Sequence, residues 1–280
     1  MLPLVHAYRD DGPMADTTRW KPRRVFCTLF EDHSDAPGVL HVAKLAVGPT
    51  GAAALISEVV ATRLLAIGGL KTLDSRVVRV SDGFASSCNK NSGYPWRISP
   101  GEYYATLHRD DVEAGPPPSC DVLADPGELI KLWVFDTWVG NVDREVEGNI
   151  LLSLAGSGKF RAIAADQSDC FCGSATFCSS TLREAMERRG PSSSVSFLPQ
   201  VIFDHGGPHA IRKAIGEVRY ASHKVREALG LVPPNWWVQA NIDADQVREL
   251  LEARADRLED ILRPSQWEVS NGGDALIINV

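Results

Sequence analysis

The chain has 280 residues, of which 44% are hydrophobic, and a formal net charge of -7. That composition supports a sizeable core, in one large domain or two lobes sharing a cleft, and excludes a disordered chain. The acidic balance argues against direct nucleic-acid binding, which needs a positive surface, and no apolar run approaches the ~18 residues of a membrane helix, so a cytoplasmic protein without membrane contact is expected.

The first 18 residues mix acidic and polar side chains and read as a flexible tail. From residue 19 to 47 the pattern is strand-like. Val25, Cys27 and Leu29 alternate with other residues, and Val39 to Ala46 forms a second run, with Pro37-Gly38 near the turn between them. A helix is predicted from about Ala52 to Ile67, ended by Gly68-Gly69. Leu73 to Val80 reads as a strand, residues 82–101 as loop, and Tyr103 to Leu107 as a short strand.

The second half is more helical. Asp125-Pro126-Gly127-Glu128 is a helix start, and that helix runs to about Trp138. Two short strands follow, Ile150 to Leu154 and Phe160 to Ala164, joined by Ala155 to Gly158. Ile211, Ile215, Val218, Val225 and Leu229 share one helical face. A last helix begins at Asp243, with Gln246 placed for a capping box, and runs through Ile261. The tail from Asn271 is expected to fray.

Several residues carry chemistry. Lys44 lies inside the apolar run Val42-Ala43-Lys44-Leu45, where a lysine is costly unless it is paired or faces a cleft. Glu58 lies on the next helix, and a strand lysine followed by a helix glutamate is the ion-pair arrangement of kinases. Asp143 sits in Gly140-Asn141-Val142-Asp143-Arg144, after an apolar helix and before the strand that Asn149 opens. An Asp and a following Asn in such a loop suit a catalytic carboxylate and a metal-ligand amide. Asp166 ends the next strand, where kinases keep their main metal carboxylate. Each residue alone also fits an ordinary turn or a solvated face; their joint order points to phosphoryl transfer. Cys170, Cys172 and Cys178 cluster, but no paired CxxC and no nearby His completes a four-ligand set, so reduced thiols are expected.

Trp138 to Arg144, Gly148 to Leu152 and Ala165 to Phe171 together resemble the catalytic and metal-binding segments of HipA-like kinases. These are bacterial proteins related in fold to protein kinases and phosphoinositide kinases. Val42-Ala43-Lys44 with Ser57 to Leu64, and Val232 to Trp236 before a helix carrying Leu250, Leu251 and Arg254, are similar to the flanking segments of that family. The resemblance implies an α+β, two-lobed protein-kinase-like fold: a strand-rich N-lobe over 19–110, a mostly helical C-lobe over 111–270, and a terminal tail over 271–280. It implies ATP and Mg²⁺ as cofactors, with Lys44 on the phosphates, Glu58 as its partner, Asp143 as the catalytic carboxylate, and Asn149 and Asp166 on the metal. It places the connector that meets adenine near Glu102 to Leu107.

The implied activity is transfer of the γ-phosphate to a hydroxyl, with a protein Ser or Thr as the expected acceptor. A pseudokinase or nucleotide-binding interaction module, and a small-molecule phosphotransferase or adenylyltransferase on the same fold, are the alternatives. Founding members of the family are toxins with a DNA-binding antitoxin partner, so an antitoxin-like regulatory partner joins the unidentified protein substrate as an expectation. The chain departs from the family pattern in three places. Glu145 stands where the family has His, the gap from Asp143 to Asn149 is lengthened by Glu145-Val146-Glu147, and Gln167 follows Asp166. Gly48-Pro49-Thr50-Gly51 is the only candidate for a phosphate loop between strand and helix, and Ser192, Ser193 and Ser194 are candidate autophosphorylation sites.

Overall fold

The structure is a computed structural model that describes residues 4–13, 23–30, 39–45, 48–90, 97–192 and 196–263. Five strands close a barrel: β1 (Leu4–Pro13), β2 (Arg23–Phe30), β3 (Val39–Leu45), β4 (Ser75–Val80) and β5 (Gly101–Leu107). The order around it is β1-β2-β3-β5-β4, and a parallel β1–β4 pair closes it. The predicted pairing of the second and third strands is present, antiparallel, with Arg24 opposite Lys44. Its expected turn at Pro37-Gly38 lies outside the described residues, as does the 271–280 tail.

Leu4–Pro13 corrects the expectation of a flexible tail over residues 1–18. This polar segment is a strand because β2 and β4 supply its backbone partners, not because of any apolar alternation of its own.

The helix α1 (Gly48–Ile67) starts earlier than predicted, with Pro49-Thr50-Gly51 in its first turn. It is buried along most of its length and packs on β5 on one side and on C-terminal helices on the other. By length and hydropathy it could cross a membrane, contrary to the reading that no run comes near, but two-thirds of its most apolar window is inside the protein. Its end is as predicted: Gly69 takes a left-handed φ of +76°.

The stretch 82–101, expected to be loop, contains α2 (Asp82–Lys90). Ser81 starts it by accepting the Phe84 N–H at 3.2 Å, and Phe84 and Ala85 are buried. Beyond β5 comes a three-stranded sheet of β6 (Val112–Ala114), β7 (Ile150–Leu154) and β8 (Phe160–Ala164), the last two with the predicted bounds.

Helices build the rest. α3 (Gly127–Val139) begins where Asp125 accepts the Gly127 N–H at 2.9 Å. Short helices α4 (Ser174–Phe177), α5 (Leu182–Arg188) and α6 (Leu198–Asp204) follow. The single apolar face predicted through Leu229 is divided between α7 (Pro208–Ser222) and α8 (Val225–Leu229), then α9 (Pro234–Ala240). The final helix is likewise broken at Arg257, into α10 (Ala244–Asp256) and α11 (Leu258–Ile261). Asp243 caps α10 by accepting the Asp245 N–H at 2.9 Å.

Two contacts lock the frame around α3. The indole of Trp138 donates to the Leu251 carbonyl at 2.8 Å. The buried Arg254 guanidinium donates to the carbonyls of Thr137, Met186, Arg189 and Gly190, and burial pulls its pKa down to about 10.

Candidate active site

β3 delivers Lys44 to the interior, where its ammonium is 5% exposed as a residue and needs charge partners. It has two. Its Nζ bonds Glu58 Oε1 on α1, and lies 2.8 Å from Asp166 Oδ1. Burial pushes the Glu58 carboxyl up to about 7, against the pull of Lys44 and with the repulsion of Asp166. The opposite strand puts Tyr104 across from Lys44, and its hydroxyl lies 3.2 Å from Thr62 Oγ1.

Asp166 follows β8, whose end is held against the barrel side: the Ala164 N–H donates to the Lys71 carbonyl at 2.9 Å. Asp166 adopts a left-handed φ of +48°, uncommon for a non-glycine residue and characteristic of functional turns. Ser168 supports the carboxylate, donating from Oγ at 2.6 Å and from its N–H at 3.3 Å.

Asp143 and Asn149 come together in the loop between α3 and β7. Asn149 Nδ2 donates to the Asp143 carbonyl at 2.8 Å, and the Asp143 N–H donates to Asn141 Oδ1 at 3.0 Å. The longer gap between them is absorbed outward. Glu145, Val146 and Glu147 are exposed, in turns closed by Val146 N–H to Asp143 O and Asn149 N–H to Val146 O. Gly140 begins the loop at φ +65°, and a Cβ there would meet Met186 Sδ at 2.9 Å. Only glycine satisfies both conditions.

The two groups are joined by a residue the sequence reading quoted but gave no role. Arg144, buried, makes a bidentate pair with Asp136 on α3, Nε to Oδ2 at 2.8 Å and Nη2 to Oδ1 at 2.9 Å. Its Nη1 donates to the carbonyls of Asn149 at 2.6 Å and Ala165 at 2.7 Å, and its Nη2 to Gln167 Oε1 at 2.6 Å. Burial pushes the Asp136 carboxyl up against the pull of Arg144. Burial also opposes the Arg144 charge, but Asp136 outweighs it and holds the guanidinium up. The fork satisfies the guanidinium donors and gives both Asp136 oxygens a charge-assisted partner. A clue was available: Asp136 is the one acid in the apolar run Leu132 to Val139.

A cleft of about 260 Å³ opens beside these groups. Lys44, Asp166, His108 and Arg109 are the charged or titratable groups of its lining, and Val42, Leu73, Leu107, Val112 and Leu151 supply apolar surface. Asp143 and Asn149 are not part of that lining.

No family model matches the chain, and no curated protein matches it in sequence. Solved structures do match. The Helicobacter pylori proinflammatory kinase CtkA superposes with a TM-score of 0.52 at 13% identity, over 93% of this chain and 95% of that one. The chain has the fold of this kinase. HipA of Shewanella oneidensis MR-1, from a toxin–antitoxin complex with HipB and operator DNA, aligns more loosely, with a TM-score of 0.45 at 12% identity over 91% of this chain and 68% of that one. The sequence resemblance is borne out in the architecture, and identities this low speak to fold alone.

Within this fold, several sequence expectations move. Gly48 to Gly51 does not line the Lys44–Asp166 cleft. Gly48 and Pro49 line a separate, larger cavity of about 380 Å³ between α1, β5 and α9. Of the expected connector Glu102 to Leu107, only its end, Thr106 and Leu107, lines the cleft, followed by His108 and Arg109. Ser192 is no modification site in this fold. It is buried, with Oγ donating to the Asn141 carbonyl at 2.8 Å, and Ser193 and Ser194 lie outside the described residues. Cys170 is fully buried and its thiol is pushed well up by burial. Among the described residues no group of three or more His, Cys, Asp and Glu side chains could hold a metal.

Proposed function

We propose that this chain is an ATP-dependent phosphotransferase that moves the γ-phosphate to a hydroxyl, with a protein Ser or Thr as acceptor, in the cytoplasm. One observation carries the reading: Lys44 Nζ bridges Glu58 and Asp166, and Lys44 and Asp166 both line a cleft that also presents apolar side chains. An apolar slot beside a buried lysine and a carboxylate suits a purine ring with a phosphate chain. The expected division into an N-lobe and a C-lobe at about residue 110 belongs to this reading, with the cleft at the junction.

Asn149 and Asp166 are the residues that would hold Mg²⁺. The donor set fits: the ion takes oxygen ligands, needs only one or two from protein, and completes its shell with water and phosphate. Asn149 spends its nitrogen on the Asp143 carbonyl, which leaves the oxygen of the amide for a cation. Bound Mg²⁺ would neutralise phosphate charge. Lys44, held by Glu58, would bind phosphate oxygens. Asp143 would orient the acceptor hydroxyl and accept its proton.

Intact-protein mass spectrometry of acceptor candidates incubated with Mg-ATP tests the reading. A gain of about 80 Da per acceptor, the mass of a phosphate, is expected with wild type and lost with Asp143→Asn. Transfer by Asp143→Asn at the wild-type rate would remove Asp143 from the mechanism. A larger AMP adduct would assign adenylyl transfer. Nucleotide binding without turnover would assign the interaction-module alternative.

A further inference from the structure

The proposed cation ligands come from different segments: Asn149 precedes β7 and Asp166 follows β8. Cation affinity depends on holding both to within a few tenths of an ångström, because Mg²⁺ tolerates little distortion of its octahedron. The backbone ladder helps, since the Ala165 N–H donates to the Asn149 carbonyl at 3.0 Å. Arg144 donates to that same Asn149 carbonyl and to the carbonyl of Ala165, directly before Asp166. Its other nitrogen is fixed by the side chain of Gln167, directly after Asp166. The guanidinium is thus bonded on both sides of Asp166 and at Asn149 itself. Asp136, on the rigid and buried α3, holds the opposite edge of the fork.

We propose that Arg144 is the positioning residue that holds Asn149 and Asp166 as one cation site, with Gln167 as its second anchor. The inference rests on the phosphotransfer reading and extends it to a residue that touches neither metal nor nucleotide. It also gives Gln167 a physical role: its amide oxygen completes the Arg144 fork. A planar five-donor group is required. A lysine would keep the charge opposite Asp136 but could not reach Asn149, Ala165 and Gln167 together.

The test is calorimetric titration of full-length protein with the non-hydrolysable analogue AMP-PNP, in EDTA and again in saturating Mg²⁺. The readout is the gain in affinity that Mg²⁺ confers. For wild type the gain is expected to be clear. For Arg144→Lys and for Gln167→Met, which keeps the side-chain volume and removes the acceptor, the gain is expected to fall about tenfold, as for supporting residues of metal sites, while affinity in EDTA stays at the wild-type value. Equal losses in EDTA and Mg²⁺ would mean that Arg144 only maintains the fold, and would overturn the proposal. An unchanged Mg²⁺ gain in Gln167→Met and in folded Arg144→Lys would overturn it too. Should Arg144→Lys not fold, Gln167→Met decides alone. Nucleotide binding by wild type with no Mg²⁺ gain would instead overturn the cation-site assignment itself, and the proposal with it.

Discussion

Lys44 and Arg144 are both buried cations, yet they are held in different ways and predict different failures. Lys44 meets two carboxylates at the cleft, and in the proposed function it is the point charge that binds phosphate. Lys44→Met is expected to lower phosphate transfer about a hundredfold, as removal of a preorganised charge does, measured as initial rate at saturating Mg-ATP. Arg144 has no such freedom, with every bond made to protein. Asp136→Leu strands its guanidinium charge and is expected to cost about 3–5 kcal/mol in urea unfolding. A third buried group reports on pH. Burial lowers the pKa of His41 from its ordinary value of 6.5, opposed by its bond to the Val39 carbonyl and aided by Arg76. The folded state therefore prefers neutral His41. The stability this contributes is present above pH 6.5 and is lost as pH falls below it, while the unfolded chain gains a proton. His41→Gln is expected to flatten the fall of the thermal midpoint below pH 6.5.

The loop from Gly140 to Asn149 shows how local bonds set the geometry of an irregular segment. The extra length is turned out as exposed Glu145, Val146 and Glu147, and the ends are drawn together by the bond from Asn149 to the Asp143 carbonyl. Its fixed point is Gly140. Gly140→Ala meets both a left-handed φ and a sulfur 2.9 Å away, and is expected to destabilise by about 1–3 kcal/mol in chemical unfolding. How far each segment was legible follows from where its partners lie. β7 and β8 are short, mostly apolar runs that form a local hairpin on either side of Ala155 to Gly158, so their bounds could be read directly. β1 could not, because its sequence lacks an apolar alternation and the strand is defined by the backbone partners β2 and β4. α2 was hidden by its Ser, Asn and Gly content, although Ser81 before Phe84 was a readable cap. The break between α7 and α8 lies at His223-Lys224, inside a continuous apolar period that cannot register a turn.

α1 ties the molecule together. It carries Glu58 to Lys44, packs on β5 of the barrel, and is enclosed on its other side by α4, α8 and α9. A sequence reading assigns it to the strand-rich half because it follows β3, but its burial on every side is a property of the assembled fold. The same holds for the candidate site. Lys44, Glu58, Asp143, Asn149 and Asp166 could be named from order and residue type. Asp136, Arg144, Gln167 and Ser168, which hold them, emerge only when α3, β7 and β8 are packed together. The central claim is that the cleft at Lys44 and Asp166 is a Mg-nucleotide site. Thermal unfolding with and without Mg-ATP tests it most directly, on wild type and Asp166→Ala. At a hundredfold excess over Kd, ligand linkage stabilises by about 2.7 kcal/mol, so the wild-type midpoint is expected to rise by roughly 5–10 °C and that of Asp166→Ala to stay in place. A wild-type midpoint indifferent to Mg-ATP, or an equal rise in Asp166→Ala, would contradict the assignment.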